Sequence, residues 1–427
     1  MKKLYVWTLC TTLGWGTIEA QGFDASNYIT GDWGGERATL SDHGLDLKLG
    51  YFSEGAHNLS GGERKATGYA DQIFLGVYLD LNKLVSWQGA LFKVEVTDRN
   101  GNLLNNKAGM PFLLQTQQIY GRGDVVRLTQ FSLTQNLFDN HLSIKAGRIY
   151  PDADFFAMSC AFQNLSFCSG GSSNYINNGW YGDPLSAVGA VIAATPDKHW
   201  YFKVGAYDTN PNTLSLDQKL RINTPGGPSN TLLVGEVEYK ADYGGGIDGD
   251  YVIGAVRNNS SHPEIVNEAG FPTGLTNAPV AIKDPENSFF VNLEQQVFRN
   301  ASGGGLRLFA SFIGADQEIS SVAQVLAVGG FINGPFVSRP HDRVGLAFGR
   351  NAASSDLTAA QRLYDALLPG GTSPIGVQRY EYPVELNYNV ALISGVQVMP
   401  SIQYVRHPDG LDVHDATVVG LQFSLNF

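Results

Sequence analysis

The chain is 427 residues long, with 40 acidic and 29 basic residues, a net charge of −11, 43% hydrophobic residues and only 16% charged ones. Soluble domains carry about 25% charged residues, and the acidic balance argues against nucleic acid as a partner. The mean hydropathy is −0.11, and no run of about 18 apolar residues occurs beyond the N-terminus, which excludes membrane-spanning helices.

Residues 1–20 read as a secretory signal. Lys2 and Lys3 form the basic region, LYVWTLCTTLGW a short apolar core, and cleavage is placed after Ala20. Removing Lys2, Lys3 and Glu19, together +1, from −11 leaves the mature chain at −12. Residues 21–44 form an N-terminal periplasmic segment with a helix over 32–43, capped by Asp32 and stopped at Gly44.

From 45 to 427 the chain alternates apolar and polar residues in about sixteen segments of roughly 8–12 residues, the length of a tilted transmembrane strand. Their cores lie at 45–54, 71–81, 88–97, 125–135, 141–149, 186–195, 199–207, 231–240, 250–258, 288–299, 304–315, 319–330, 342–350, 380–390, 394–406 and 416–427. In the last one, Val419, Leu421, Phe423, Leu425 and Phe427 share one face, while Val418, Gly420, Gln422, Ser424 and Asn426 share the other. Short connections such as LNKLVS, QNLFDN and TPDKH alternate with long stretches at 98–124, 150–185, 208–230, 259–287 and 351–379. Short inner turns and long outer loops are the asymmetry of an outer-membrane barrel. A second helix is expected over 356–368, in an outer loop. The reading is all-β: a transmembrane barrel of about sixteen antiparallel strands, forming one domain over 45–427.

Once Cys10 leaves with the signal, Cys160 and Cys168 are the cysteines that remain. In an exported protein they either form a disulfide or stay as thiols. No histidine stands near them at metal-ligand spacing, so no metal site and no cofactor are expected. No nucleophile motif such as G-x-S-x-G accompanies the eight histidines, which argues against a barrel enzyme.

The stretch GDWGGERATLSDHGLDLKLGYFSEGAHNLSGG at 31–62 resembles the opening of the carbohydrate-selective porin (OprB) family. The resemblance continues through YADQIFLGVYLDLNKLVSWQGALFKVEV (69–96), HLSIKAGRIYPDADFF (141–156), VGEVEYK (234–240), VNLEQQVFR (291–299), SRPHDRVGLAFG (338–349) and MPSIQYVRHPDG (399–410). It implies a barrel of about sixteen strands in the bacterial outer membrane, set in lipid and lipopolysaccharide, that passes small neutral sugars by passive diffusion. It also implies that barrel-assembly machinery reads the terminal Phe427. A porin for other polyols or small hydroxy acids, or a non-selective channel, is the alternative.

A basic residue facing lipid at mid-depth costs ~2–4 kcal/mol, so charges inside strands should face the lumen. This selects Lys93, Glu95, Lys203, Glu236, Glu238, Glu294, Arg307, Arg343 and Glu385 as pore-lining candidates for sugar hydroxyls, each with solvated wall residue as its alternative. Arg148 either contacts solute or pairs with Asp152 or Asp154 to staple a loop. Phe155, Phe156, Trp180 and Tyr181 either form an aromatic track for sugar rings or belong to a loop core. Gln130 and Thr134 occupy inward positions where the family often has acids, so a sugar preference does not carry over.

Overall fold

The computed structural model describes residues 24–119, 124–168, 175–300, 303–367 and 376–427; the expected signal at 1–20 lies outside them. Sixteen antiparallel strands close into a barrel. They are Leu45–Ser60 (β1), Thr67–Asp80 (β2), Ala90–Asn102 (β3), Val125–Leu137 (β4), Leu142–Ile149 (β5), Ala187–Ala194 (β6), Trp200–Asp208 (β7), Thr231–Asp242 (β8) and Asp248–Asn258 (β9), then, after the loop ribbon below, Glu286–Arg299 (β12), Gly305–Gly314 (β13), Val322–Asn333 (β14), Arg343–Ala353 (β15), Tyr380–Ile393 (β16), Val396–Arg406 (β17) and Ala416–Asn426 (β18). Every expected segment is a strand, because period-two alternation survives in a wall with lipid on one side. A small ribbon of His262–Pro263 (β10) and Ile282–Lys283 (β11) stands apart in the long loop after β9; two-residue strands leave no alternation to read.

The barrel closes where β1 meets β18, with Gly50 opposite Asn426. The N-terminal segment reinforces this seam at the end that carries the short turns. Ile29 N donates to Asn426 O at 2.8 Å, and Phe427 N donates to Leu49 O at 2.9 Å. The helix runs over Glu36–Asp42 after a 3-10 turn, so Asp32 is not its N-cap. Gly35 holds that position, and Asp32 Oδ1 reaches forward to accept from Ala38 N at 3.0 Å. Gly34 and Gly35 have φ of 73° and 100°, a left-handed turn that favours glycine. The turn brings the Arg37 guanidinium to 3.6 Å from the Tyr28 ring centre and 4.9 Å from that of Trp33. Arg37 Nη2 also donates to Leu47 O at 2.9 Å, tying the segment to β1. The second helix covers Ser355–Leu367 in an outer loop, with Ser354 Oγ accepting from Asp356 N at 3.1 Å as its cap.

Outward positions such as Leu233, Ile253, Phe289 and Leu346 are exposed and apolar. Near the short turns, Trp200 lies 4.7 Å from Tyr239 and 6.1 Å from Phe202, and Tyr239 lies 6.4 Å from Tyr251, ring centre to ring centre. These aromatics form a girdle at the interface.

The interior differs from the expected water-filled polar lumen. Loop 103–119 and the described residues of loop 150–185 fold into the barrel. Inward residues of the wall, among them Val191, Leu232, Val234, Val252, Val256, Phe290 and Ile313, are buried in one apolar cluster with Leu113, Leu114, Phe155, Phe156, Leu165, Ile176 and Trp180 of those loops. Under this second layer of chain the wall is in part apolar, and in part it carries buried carboxylates that bond to the loops.

Candidate functional site

Loop 150–168 crosses the interior as a belt, bonded in turn to wall after wall. Lys203 on β7 donates to Asp154 O at 3.1 Å. Phe156 N donates to Glu236 on β8 at 2.7 Å. On β12, Glu294 accepts from Ser159 N and from Ser159 Oγ, the latter at 2.9 Å, and Asn292 Nδ2 donates to Ala157 O at 3.3 Å. On β16, Glu385 accepts from Gln163 N at 2.9 Å and from Asn164 N at 2.7 Å. The belt ends on β17 and β1, where Asn164 Nδ2 reaches Gln403 Oε1 at 2.9 Å and Gln163 Nε2 reaches Gly55 O at 3.0 Å. Cys160 and Cys168 are joined by a disulfide within this span.

Loop 103–119 is held by the same device. Leu113 N donates to Glu381 on β16 at 2.9 Å, and Ile119 N donates to Glu54 on β1 at 2.9 Å. Asn178 N donates to Glu286 on β12 at 3.1 Å. A carboxylate offers several lone pairs for orphan main-chain N–H groups that would otherwise be buried unpaired. The wall glutamates therefore fasten inner loops. Glu236, Glu294 and Glu385 do face inward as the alternation required, but each gives at least one oxygen to a main-chain N–H of the belt.

The inward charges also form paired clusters, several of them shared with the belt. Lys203 is buried between Glu236 at 2.7 Å and Glu238 at 2.9 Å, and Lys240 approaches Glu238 at 3.0 Å. Lys145 on β5 pairs with Asp154 of the belt at 2.5 Å. Arg307 on β13 lies 2.5 Å from Asp248 and 3.7 Å from Glu294, and keeps part of its side chain exposed. Arg343 stands opposite Asn333 and Asn389, with its guanidinium 5.5 Å from the Phe331 ring centre. On β3, Glu95 accepts from the Tyr78 hydroxyl at 2.6 Å, and the Lys93 ammonium lies 4.8 Å from the Tyr78 ring centre. The arc β2–β5 thus presents Gln72, Tyr78, Lys93, Glu95, Arg99, Gln130, Thr134 and Lys145 towards the interior. Arg99 bridges Gln72 and Asp183 of the long loop, the latter at 2.7 Å. Burial pushes the Asp183 carboxyl up, and Arg99 opposes that shift.

Arg148 is a correction. It stands opposite Phe131 and Val188, both on the outward register, so it does not line the lumen. Its guanidinium donates to Ser186 Oγ at 3.2 Å and to Asn223 O at 3.3 Å, fixing outer loop 209–230, whereas Lys145 engages Asp154 and the Trp180 indole engages Asp152. The aromatic track is corrected too. Phe155, Phe156, Trp180 and Tyr181 are all buried. Phe156 packs edge-on at 5.1 Å from Phe290 and Trp180 at 6.3 Å from the same ring, so their faces are taken by the loop core. Arg99 and Lys145 went unnoticed in the sequence, although each shares inward parity with a neighbour on its strand, Arg99 with Lys93 and Glu95, Lys145 with Ser143.

Asp409, in the outer turn after β17, donates its N–H to Glu381 at 2.8 Å. Burial raises its carboxyl to about 6, with Gln378 opposing the shift. An ordinary aspartate titrates near ~3.9, so the folded state is favoured by this group below that pH. The advantage disappears as pH rises through about 6. Asp409→Asn is expected to flatten the pH dependence of the melting temperature between these limits; an unaltered profile would exclude Asp409 as its source.

A closed antiparallel barrel with a lipid-facing band, aromatic girdles and a charged, loop-narrowed interior defines an outer-membrane porin. The chain belongs to the carbohydrate-selective porin, OprB family, whose sequence profile matches residues 64–427. It is 33% identical to Porin B of Pseudomonas aeruginosa over 431 residues, covering 97% of this chain and 95% of that one. It is 30% identical to the putative porin QuiX of Acinetobacter baylyi over 422 residues, covering 94% and 93%. The high-pH structure of Pseudomonas putida OprB superposes with a TM-score of 0.89 at 31% identity, covering 95% of this chain and 99% of that one. The outer membrane of a Gram-negative bacterium is its location, and its relatives are channels.

Proposed function

We propose that the protein passes small, glucose-like monosaccharides into the periplasm by passive diffusion, through the space between the belt and the arc β2–β5. The observation that carries this reading is the pairing of acids and bases in the barrel interior: Lys145 with Asp154, Lys203 and Lys240 with Glu238, and Arg307 with Asp248 and Glu294. Paired charges leave little net field to attract an ion, yet offer donors and acceptors in fixed planes to hydroxyl groups. Such contacts are weak and repeated, as conduction requires.

The test is single-channel conductance in a planar bilayer, titrated with glucose, other sugars, polyols and small hydroxy acids. Saturable block by a monosaccharide supports the proposal. Block by hydroxy acids alone would replace it with an anion-selective reading, and conductance without any block would make the protein a general diffusion channel. Arg307→Ala is expected to weaken sugar block several-fold, because Arg307 is a partly exposed cation between Asp248 and Glu294. An unchanged block would remove it from the pathway.

The same reading assigns residues 1–20 to a cleaved signal and Phe427 to recognition by the assembly machinery. Deleting Phe427 is expected to lower outer-membrane levels while secretion continues; normal levels would count against that role. The deletion also removes the Phe427 N to Leu49 O bond at the seam, so folding of the truncated chain in detergent is the necessary companion measurement.

A further inference from the structure

We propose that the outer face of β15–β17 carries a binding site for the phosphorylated glycolipid of the outer leaflet, built on Arg350 and Arg406. Strand register places the two arginines in one row. Tyr382 is opposite Arg406, and the pairs Phe348 with Val384 and Asn351 with Glu381 set Arg350 on the other side of Tyr382. Two strand spacings put their Cα atoms about 10 Å apart, within reach of side chains that converge on one phosphate.

All three residues are on the outward register. Arg350 alternates with exposed Leu346 and Phe348, and Arg406 with exposed Ile402 and Tyr404. The row marks the upper edge of the apolar band. From Tyr388, near the short turns, to Tyr380 the strand climbs roughly 20 Å once its ~40° tilt is allowed for, close to the height of the hydrocarbon belt. This rim also carries the long loops, which identifies it as the extracellular side.

Tyr380, Tyr382 and Tyr404 are exposed beside the arginines. Tyr380 and Tyr382 lie 6.2 Å apart, and the Arg350 guanidinium lies 5.4 Å from the Tyr380 ring centre. Arg350 Nη2 donates to the neutral Gln324 Oε1 at 3.1 Å. Among the described residues neither arginine takes part in an ion pair. The acid at the end of the row, Asp415, already accepts from the Tyr404 hydroxyl and from His407 N. Two guanidiniums engaged in no ion pair among the described residues, with Asp415 beside Arg406 but bonded to Tyr404 and His407, and flanked by aromatic faces at the headgroup level, suit a phosphate joined to a sugar ring. Inner-leaflet phospholipid is excluded by the height of the row.

The test uses the full chain folded in detergent, stripped of lipid and mixed with lipid A carrying both phosphates, with retention read by native mass spectrometry. The wild type is expected to retain it, and Arg350→Gln with Arg406→Gln to retain roughly tenfold less or lower still. Arg257→Gln removes an outward arginine on β9, outside the row, and is expected to leave retention unchanged. Dephosphorylated lipid A is expected to bind as weakly to the wild type as the intact lipid does to the double variant. Equal retention by wild type and double variant would overturn the proposal, as would displacement by millimolar inorganic phosphate alone, which would mark a general anion site. Unchanged single-channel conductance of the double variant shows that the barrel itself is intact.

Discussion

Replacing Glu385 by alanine is expected to open the channel: conductance rises severalfold and sugar block weakens. Glu385 is fully buried on β16 and accepts three hydrogen bonds, from Gln163 N, Asn164 N and Asn387 Nδ2, at 2.7–2.9 Å. Gln163 N and Asn164 N, left buried and unpaired, would cost about 1–3 kcal/mol each, while Asn387 Nδ2 keeps Ala161 O at 2.9 Å. The disulfide between Cys160 and Cys168 keeps the segment looped on itself, so this end of the belt should loosen as a unit while Glu236 and Glu294 hold the other end and the barrel stays closed. Glu385→Gln keeps one acceptor oxygen at the same place and should fall between wild type and alanine. Measured conductance in the order alanine, glutamine, glutamate would support the belt as the element that narrows the pore. Three identical conductances would mean that the belt does not set the width.

Lys203→Met is expected to produce the largest loss of stability, about 3–5 kcal/mol by the usual cost of stranding a buried charge. The Lys203 ammonium serves Glu236 and Glu238 together and also donates to Asp154 O. Methionine fills a similar volume, so the change tests charge rather than packing. Two carboxylates would then share a buried site with the Lys240 ammonium alone, at the point where Phe156 N fastens the belt. Adding Glu236→Gln to Lys203→Met removes one stranded charge and should restore part of the loss, a coupling that a double-mutant cycle reads directly. Thermal unfolding of the barrel in detergent gives the answer. A single variant as stable as the wild type would show that water reaches the pair freely, and the buried description of this cluster would fall.

The lipid-facing architecture was legible in the sequence because its cause is local. A residue facing hydrocarbon cannot be charged at mid-depth, and a strand turns every second side chain to the same side, so Lys93, Glu95, Lys203, Glu236 and Arg307 announced the lumen and Phe92, Val94 and Val237 announced the lipid. The turns were legible for the same reason, since Asn, Asp and Gly act through their own backbone. Arg148 escaped the rule because it lies at the rim. There the outward register is covered by loop 209–230 rather than by lipid, and a guanidinium can bond to Asn223 O.

What the sequence determined by itself was therefore the wall: sixteen strands, their two faces and the alternation of short turns with long loops. What only the tertiary structure decided was the interior. Val234 and Phe290 share the inward parity of Glu236 and Asn292, a face that patterning assigns to a polar lumen, yet with Val256 they are buried against Phe156, Trp180 and Ile176. Glu54, Glu286 and Glu381 look like solvated wall acids, yet they hold loops. Each of these pairings joins residues tens to hundreds of positions apart. Period-two patterning tells which way a side chain points, but not whether water or another stretch of chain waits there.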